Sequence, residues 1–240
     1  MLDILEGLGE YDNSGALLGL DGLDGNEELL GALRKMNPVK RQRVINALAS
    51  QGGRSRGSRA EMEKHFGELP EHIRQLLVSG DLRLADTIIY SIKPANSKTV
   101  KMFETQDVKE VGLRNISNAK LPKNQALLVS GIILLAGVPA GNTPDQIMST
   151  KYGQLEDFAA ITNAEFNLKA NKKIIMPETS IGAFKTNNMH NLPIGYYKLA
   201  NPRLIHDDIL VEATLELGTM QGLDPNTYVY CGLHGTITTP

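Results

Sequence analysis

From about residue 83 onward, apolar and polar side chains alternate with a period of two, and this pattern constrains the fold more than any other feature of the chain. It is clearest over residues 209–217 and 229–237, and it recurs over residues 87–92 and 165–170. Such alternation is typical of β-strands that turn one face to a core and the other outward. The pattern therefore predicts a body built mainly of antiparallel strands.

Further apolar runs raise the number of predicted strands to about eight or nine; they lie at residues 100–104, 108–113, 126–138, 174–176 and 196–200. Turn-forming residues separate the runs, at 94–97, 121–124, 201–202 and 223–226. A single helical insertion is predicted at Thr143-Pro144-Asp145, where a capping residue precedes a proline. Short strands without alternating long helices predict a β-sandwich or barrel.

The longest apolar run, from Ile132 to Ala140, is too short for a membrane-spanning helix, which needs about 18 residues. Glycine and proline interrupt it, and a buried strand is the better interpretation. The N-terminus has no basic stretch followed by an apolar one, so we expect neither a signal peptide nor a membrane span.

The first quarter of the chain is polarised in charge. Residues 1–28, here called the acidic segment, hold eight acidic residues and no Lys or Arg, whereas residues 29–60 hold eight basic residues and no Asp or Glu. Asn26 and Asn37-Pro38 are helix-start signals, and they predict helices over residues 27–36 and 38–50. Residues 51–59 form a Gly/Arg linker.

These features predict three parts. Residues 1–60 form an N-terminal helical arm with its acidic segment, basic helix and Gly/Arg linker. Residues 61–82 form a short helical connector, with a helix that starts after Leu69-Pro70 and stops at Gly80. Residues 83–240 form the β body.

The sequence lacks the common catalytic motifs: no Gly-x-x-x-x-Gly-Lys-Ser/Thr loop and no Gly-x-Ser-x-Gly elbow occurs. His206-Asp207-Asp208 could lend ligands to a divalent ion, but a solvated polar loop is favoured there. We expect His234 to be exposed or paired across strands, and Cys231 to be a buried, inert thiol. The sequence thus predicts no enzyme, no cofactor and no metal.

The basic stretch is the one remaining functional candidate. Its side chains would contact phosphates without reading a base sequence, or they would pair with acidic segments of the same or a neighbouring molecule. Both interpretations stay open on the residues alone. The candidate contact residues, for nucleic acid or for another subunit, are Arg34, Lys35, Lys40, Arg41, Arg43, Arg54, Arg56 and Arg59.

The layout of an N-terminal extension, a basic linker and a β body resembles the single jelly-roll coat proteins of tailless icosahedral viruses, bacteriophages in particular. Residues 207–217 and 224–236 look like late strands of such a fold, and residues 117–132 look like a strand that follows a proline turn. The resemblance implies an antiparallel eight-strand jelly-roll sandwich with an N-terminal helical arm. The acidic start of the arm departs from the pattern of an arm that only binds a genome.

The resemblance also implies a function and partners. It implies a structural capsid subunit that self-assembles into an icosahedral shell in the host cytoplasm and resides in the virion. Its partners would be copies of itself, other virion proteins and, through the basic arm, genomic nucleic acid. One hypothesis is that the acidic segment docks on the basic helix of a neighbouring copy. Two alternatives are a cupin-like jelly-roll enzyme, which needs inward-facing metal ligands, and a nucleic-acid-binding protein.

Overall fold

A computed structural model of the chain describes Asn37, residues 62–186 and residues 193–240. Apart from Asn37, the predicted arm over residues 1–60 lies outside the described residues, and so do its acidic segment, its basic helix and its Gly/Arg linker. Of the described residues, 62–84 and 238–240 belong to one compact unit, and 85–237 belong to another. The division of the chain into arm, connector and body stays a prediction.

The predicted connector contains the expected helix. A 3-10 turn at Phe66–Glu68 precedes helix α1, Glu71–Ser79, which buries Ile73 and Leu77. Pro70 stands just before the helix, and Gly80 ends it in the left-handed conformation, with φ +83°. The stop signal read from the sequence is therefore confirmed, because glycine adopts this backbone conformation without a Cβ clash.

The body is mainly β and has eight antiparallel strands in two four-stranded sheets, as the period-two pattern predicts. The strands are β1 Arg83–Pro94, β2 Thr99–Lys101, β3 Ala126–Gly137, β4 Glu165–Ala170, β5 Lys173–Ser180, β6 Tyr196–His206, β7 Val211–Glu216 and β8 Tyr228–Thr239. One sheet has the order β1-β8-β3-β6, and the other has the order β2-β7-β4-β5.

One hydrophobic core joins the inward faces of both sheets. Leu127 and Val129 of β3 and Cys231 of β8 belong to it from the first sheet, and Phe166 of β4 and Leu215 of β7 belong to it from the second. In β4, β7 and β8 these side chains occupy the apolar phase of the alternating runs, whereas β3 is apolar on both faces. Burial of this phase is the main favourable contribution to folding, and it fixes which face of each strand points inward.

Strand β1 buries apolar residues on both faces. Ile89 lies in the main core, whereas Ile92 belongs to a second, outer cluster with Leu113, Ile147 and Tyr228. The long loop between β2 and β3 and helix α2, Pro144–Met148, supply this outer layer. Helix α2 confirms the predicted insertion, and Thr143 and Gln146 form a capping box at its start.

Two local predictions were wrong. Residues 108–113 do not form a strand: they belong to an irregular loop, and the side chains of Val108 and Val111 are exposed. Asn201-Pro202 is not a turn that ends a strand, because β6 continues through it to His206. The register there jumps from Lys198 to Arg203, so the proline sits in a bulge of an edge strand, where a missing N–H is tolerated.

Short helical turns in the long connections were not predicted. Helix α3, Ala159–Thr162, follows a 3-10 turn at Leu155–Asp157, and a further 3-10 turn spans Ile181–Phe184. Phe184 packs edge-on against Phe166, with 5.7 Å between ring centroids. Within residues 62–186 and 193–240, no helix has the length and hydropathy that a membrane span requires.

Candidate functional site

The basic residues singled out by the sequence cannot be placed. All eight candidate contact residues lie outside the described residues: Arg34, Lys35, Lys40, Arg41, Arg43, Arg54, Arg56 and Arg59. Their contacts with nucleic acid or with another subunit stay a prediction, and the described residues offer other candidates.

Two tight turns meet at one end of the sheets. In the first, the Lys120 amide donates to the Ser117 carbonyl at 3.1 Å. In the second, Asn171 and Lys172 alone connect β4 to β5. Both have two central residues at positive φ, as type I′ hairpin turns require.

Backbone hydrogen bonds dock both turns on the segment that leads into β7. The Asn171 amide donates to the Leu210 carbonyl at 3.0 Å, and the Val211 amide donates to the Ala119 carbonyl at 2.8 Å. The Asp207 amide donates to the Gln125 carbonyl at 2.8 Å, which ties the β6–β7 loop to the residues before β3. We call this surface the loop end and define it as residues 117–125, 170–173 and 206–211.

Backbone strain is concentrated at the loop end. All six non-glycine residues with positive φ among the described residues lie there: Asn118, Ala119, Asn124, Asn171, Lys172 and Asp208. Asn and Asp tolerate this conformation, but for other L-residues it costs about 1–2 kcal/mol each. Ala119 and Lys172, with φ of 52° and 63°, occupy turn positions where glycine is preferred. Strain of this kind is a reason to look for function.

The loop end also carries exposed positive charge. Lys120, Lys123, Lys172 and Lys173 are exposed, and none of them has an ion-pair partner within the described ranges. The only acidic residues of the loop end are Asp207 and Asp208, so four lysines against two aspartates leave a formal charge of +2. Asp207 is buried and accepts a hydrogen bond from the Asn124 amide at 2.8 Å.

The earlier part of the β2–β3 loop is held by a buried ionic network. The Lys93 ammonium lies 2.6 Å from the Asp107 carboxylate and 2.7 Å from the Glu104 carboxylate. Asp107, only 5% exposed, also accepts from the Glu104 amide at 2.9 Å and lies 3.4 Å from the Arg114 guanidinium. Buried charges stabilise the conformation of a loop only while they are paired.

Apolar side chains near this network are exposed to solvent. Val108 is 68% exposed and Val111 is 86% exposed, in the loop just after Asp107. Met148 of α2 is 42% exposed, and its sulfur would lie 2.4 Å from a Cβ added at Gly112. We call Val108, Val111 and Met148 the outer apolar patch. Exposed apolar residues mark protein–protein contacts where they form one continuous patch.

Tyrosines cover the outer face of the first sheet beneath this loop. The rings of Tyr90 and Tyr230 stack with 5.7 Å between centroids, and Tyr152 lies 6.4 Å from Tyr230. Burial raises the pKa of both Tyr152 and Tyr230 to about 12. The Tyr152 hydroxyl donates to the Ile147 carbonyl at 3.2 Å, which ties α2 to the sheet.

A polar group lies farther along the same face. The Ser130 hydroxyl is 3.3 Å from His234 Nδ1 and also 3.3 Å from the His234 carbonyl, and Tyr196 packs edge-on against His234. Burial raises the pKa of Tyr196, and a hydrogen bond with Ser130 acts in the opposite direction. Within the described ranges, His234 has no carboxylate partner that would orient it as a catalytic base. His234 is half-buried and pairs across strands with Ser130.

The remaining chemical candidates are Cys231 and the His206 loop. Cys231 is fully buried, as expected, and burial raises the pKa of its thiol. The His206 ring lies 3.0 Å from the Asp207 carbonyl and 3.5 Å from the Asp207 carboxylate. Across residues 62–186 and 193–240 no group of three or more His, Cys, Asp or Glu side chains is placed to hold a metal ion.

The loop end was missed by the sequence analysis. Part of the signal was present: Asn171-Lys172 separates the runs at residues 165–170 and 174–176, which were predicted as strands, whereas no predicted strand directly flanks Asn118-Ala119. Because the second position of each pair is not glycine, the usual hairpin signature is absent.

The chain was also compared with known proteins. No model of a known protein family matches it, and no curated protein matches it either. A functional proposal therefore depends on the strand order, the exposed surfaces and the sequence of the arm.

Proposed function

We propose that the body is a jelly roll and that the chain is the structural subunit of a viral capsid, of the tailless icosahedral kind found among bacteriophages. The strand order carries this proposal. In the two sheets β1 neighbours β8, β2 neighbours β7, β3 neighbours β6, and β4 neighbours β5. These nested pairs are what a long antiparallel ribbon of eight strands gives when it is folded at its middle, between β4 and β5.

Rolling this ribbon accounts for the other neighbours. If the ribbon wraps around a core, β8 comes to lie beside β3 and β7 beside β4, and both pairs are antiparallel in this chain. A wrapped eight-strand ribbon in two sheets is the jelly-roll architecture, which capsid subunits share with lectins and cupins. The fold alone does not assign a function, so the choice among capsid subunit, lectin and cupin depends on the surfaces of the body.

The surfaces favour assembly through loops. Val108 and Val111 are apolar residues exposed on the β2–β3 loop, and the Lys93–Asp107 ion pair anchors the loop just before them. Three of the four edge strands are poorly suited to pairing with another sheet, since β2 has three residues and β5 and β6 contain Pro177 and Pro202. Contacts between copies would therefore use the outer apolar patch, and closed symmetry would repeat each contact many times.

The sequence of the arm supports the same function. An acidic segment followed by eight basic residues suits a segment that orders on contact with other copies, with other virion proteins or with the packaged genome. In this function the chain has no catalytic role and resides in the virion after assembly in the host cytoplasm.

The test is the behaviour of the purified 240-residue chain and of a variant lacking residues 1–60. We expect the full chain to form large closed particles in electron microscopy. The shortened variant should keep the circular dichroism spectrum of a β protein but lose correct assembly. Stoichiometric iron, zinc or manganese in a monomeric product would instead support a cupin-like enzyme. Tight, salt-dependent binding of nucleic acid by a monomer would support a nucleic-acid-binding protein.

A further inference from the structure

We propose that the loop end is the docking surface for the acidic segment of a second copy of this chain. The proposal rests on the capsid function, because it needs several copies in contact. It names a specific contact that the shell would repeat, and it places the acidic segment on the β body rather than on a neighbour's basic helix.

The charge of the acidic segment is complementary to that of the loop end. The acidic segment has eight carboxylates and no basic side chain, so it needs a cationic partner wherever it docks. The loop end presents Lys120, Lys123, Lys172 and Lys173 without ion-pair partners within the described ranges. Three loops that are hydrogen-bonded to one another fix the backbones of these lysines, which lowers the entropy lost when a partner binds.

The strained backbone of the loop end carries lysines at or beside its tight turns. Lys172 occupies a hairpin position that favours glycine, and it places a cation at the tip of the turn. Ala119, in the matching turn, directly precedes the exposed Lys120. A stable fold alone gives no reason for Lys at this position, whereas a contact that uses its charge does.

The side chains of the loop end suit a peptide better than nucleic acid. The loop end contains no Phe, Tyr or Trp on which a base could stack. Leu210, whose backbone joins the two turns, and Ile209 beside it are half-buried and pack against the core, so a partner with apolar side chains would cover their exposed part. The acidic segment has seven leucines among its carboxylates, and it therefore matches both the lysines and this apolar strip.

The experiment uses the full chain in equal mixtures of copies labelled with ¹⁴N and with ¹⁵N, under the conditions of assembly. A carbodiimide links carboxylates to lysines that are already in contact, and mass spectrometry identifies the linked peptides. We expect peptides of mixed isotope that join residues 1–28 to Lys120, Lys123, Lys172 or Lys173. Linkage only within single copies, or linkage to Lys35 or Lys40 instead, would overturn the proposal.

Matched variants test whether charge at the loop end is responsible. Lys172→Glu with Lys173→Glu should lower the yield of mixed linkages to Lys120 and Lys123 by about tenfold, since exposed pairs contribute little singly but add across one contact. Lys98→Glu with Lys151→Glu makes the same change at exposed lysines outside the loop end and should leave the yield unchanged. Equal effects of the two double variants would contradict the proposal.

A second double variant controls for misfolding at the hairpin. Lys172→Gly with Lys173→Gln removes both charges and relieves the strain at residue 172, so it should fold at least as stably and still lower the linkage yield. An unchanged yield in this variant would overturn the proposal. The proposal would also be overturned if this variant bound oligothymidylate more weakly than the unaltered chain, while deletion of residues 1–28 changed neither oligothymidylate binding nor assembly.

Electron microscopy of the same samples separates the two proposals. Closed particles without the expected linkages would overturn this contact and leave the capsid function standing. Mixed linkages in small oligomers without closed particles would support this contact and contradict the capsid function.

Discussion

The Tyr196 ring lies directly over Gly131, so close that a Cβ built at Gly131 would stand 2.3 Å from the ring carbon Cζ and from the hydroxyl oxygen. The register of β3 shifts between Val129 and Gly131 against both neighbouring strands. The bulge at Ser130 thus brings a glycine under an aromatic ring of the adjacent strand. This contact fixes the alignment of β3 and β6, the edge pair of the first sheet.

Gly131→Ala is expected to destabilise the fold by about 1–3 kcal/mol, because the added methyl group must displace the Tyr196 ring or the backbone of β6. Urea unfolding followed by circular dichroism measures this change. Gly153→Ala is the control, since nothing lies within 4 Å of a Cβ at Gly153. In a Tyr196→Ala background the cost of Gly131→Ala should largely disappear; an unchanged cost there would show that the ring is not its cause.

Asp107→Asn is expected to lower the free energy of unfolding by about 2 kcal/mol, because it leaves Lys93 and Arg114 partly buried with one carboxylate fewer. The comparison is Glu156→Gln, which breaks the exposed pair between Glu156 and Lys185 at 2.8 Å. That change should cost less than about 1 kcal/mol. Similar losses in the two variants would contradict the structural role given to the buried network.

Stability should fall as pH rises from about 10 to about 12. The pKa of Tyr230 and of Tyr152 is raised to about 12 in the folded protein, from an ordinary value of 10.0. The unfolded chain therefore loses these protons first, and the stabilisation, complete below pH 10, is lost as pH approaches 12. Urea unfolding across this range measures the slope. Tyr230→Phe should reduce the slope, and an identical slope in that variant would exclude Tyr230 as a source.

Val111→Asp is expected to abolish assembly while leaving the fold intact. Val111 is 86% exposed, so its replacement removes no core contact, but a carboxylate in a contact between copies would be desolvated. Light scattering measures particle size, and thermal unfolding checks the fold. Lys109→Gln in the same loop makes the same change in net charge without removing an apolar group and should still assemble. Loss of assembly in both variants would point to charge rather than to the outer apolar patch.

The sequence was sufficient to predict the strands whose two faces differ. Alternation over residues 209–217 and 229–237 matches β7 and β8 closely, and the run that starts at Ala126 matches β3. Capping signals located α2 from Thr143 and the end of α1 from Gly80. In these places local chemistry and tertiary packing favour the same structure.

Where the sequence misled, distant partners decide the conformation. The run over residues 108–113 was predicted as a strand from its apolar residues, but the pairing of Asp107 with Lys93 holds this segment in a loop. Pro202 was predicted to lie in a turn that ends a strand. The bulge that accommodates it depends on the pairing with β3, which the local sequence does not reveal. The loop end could not be predicted as a surface, since Lys120 and Lys172 are 52 residues apart in sequence. Leu210 joins their two turns, because its backbone pairs with Lys120 and its carbonyl accepts from the Asn171 amide.

The most direct test of the account is the size of the particles that the purified 240-residue chain forms, seen by negative-stain electron microscopy. We predict closed shells of uniform diameter that contain many copies. A population of single monomers at high protein concentration, in both low and physiological salt, would contradict the proposal that this β body is built to assemble.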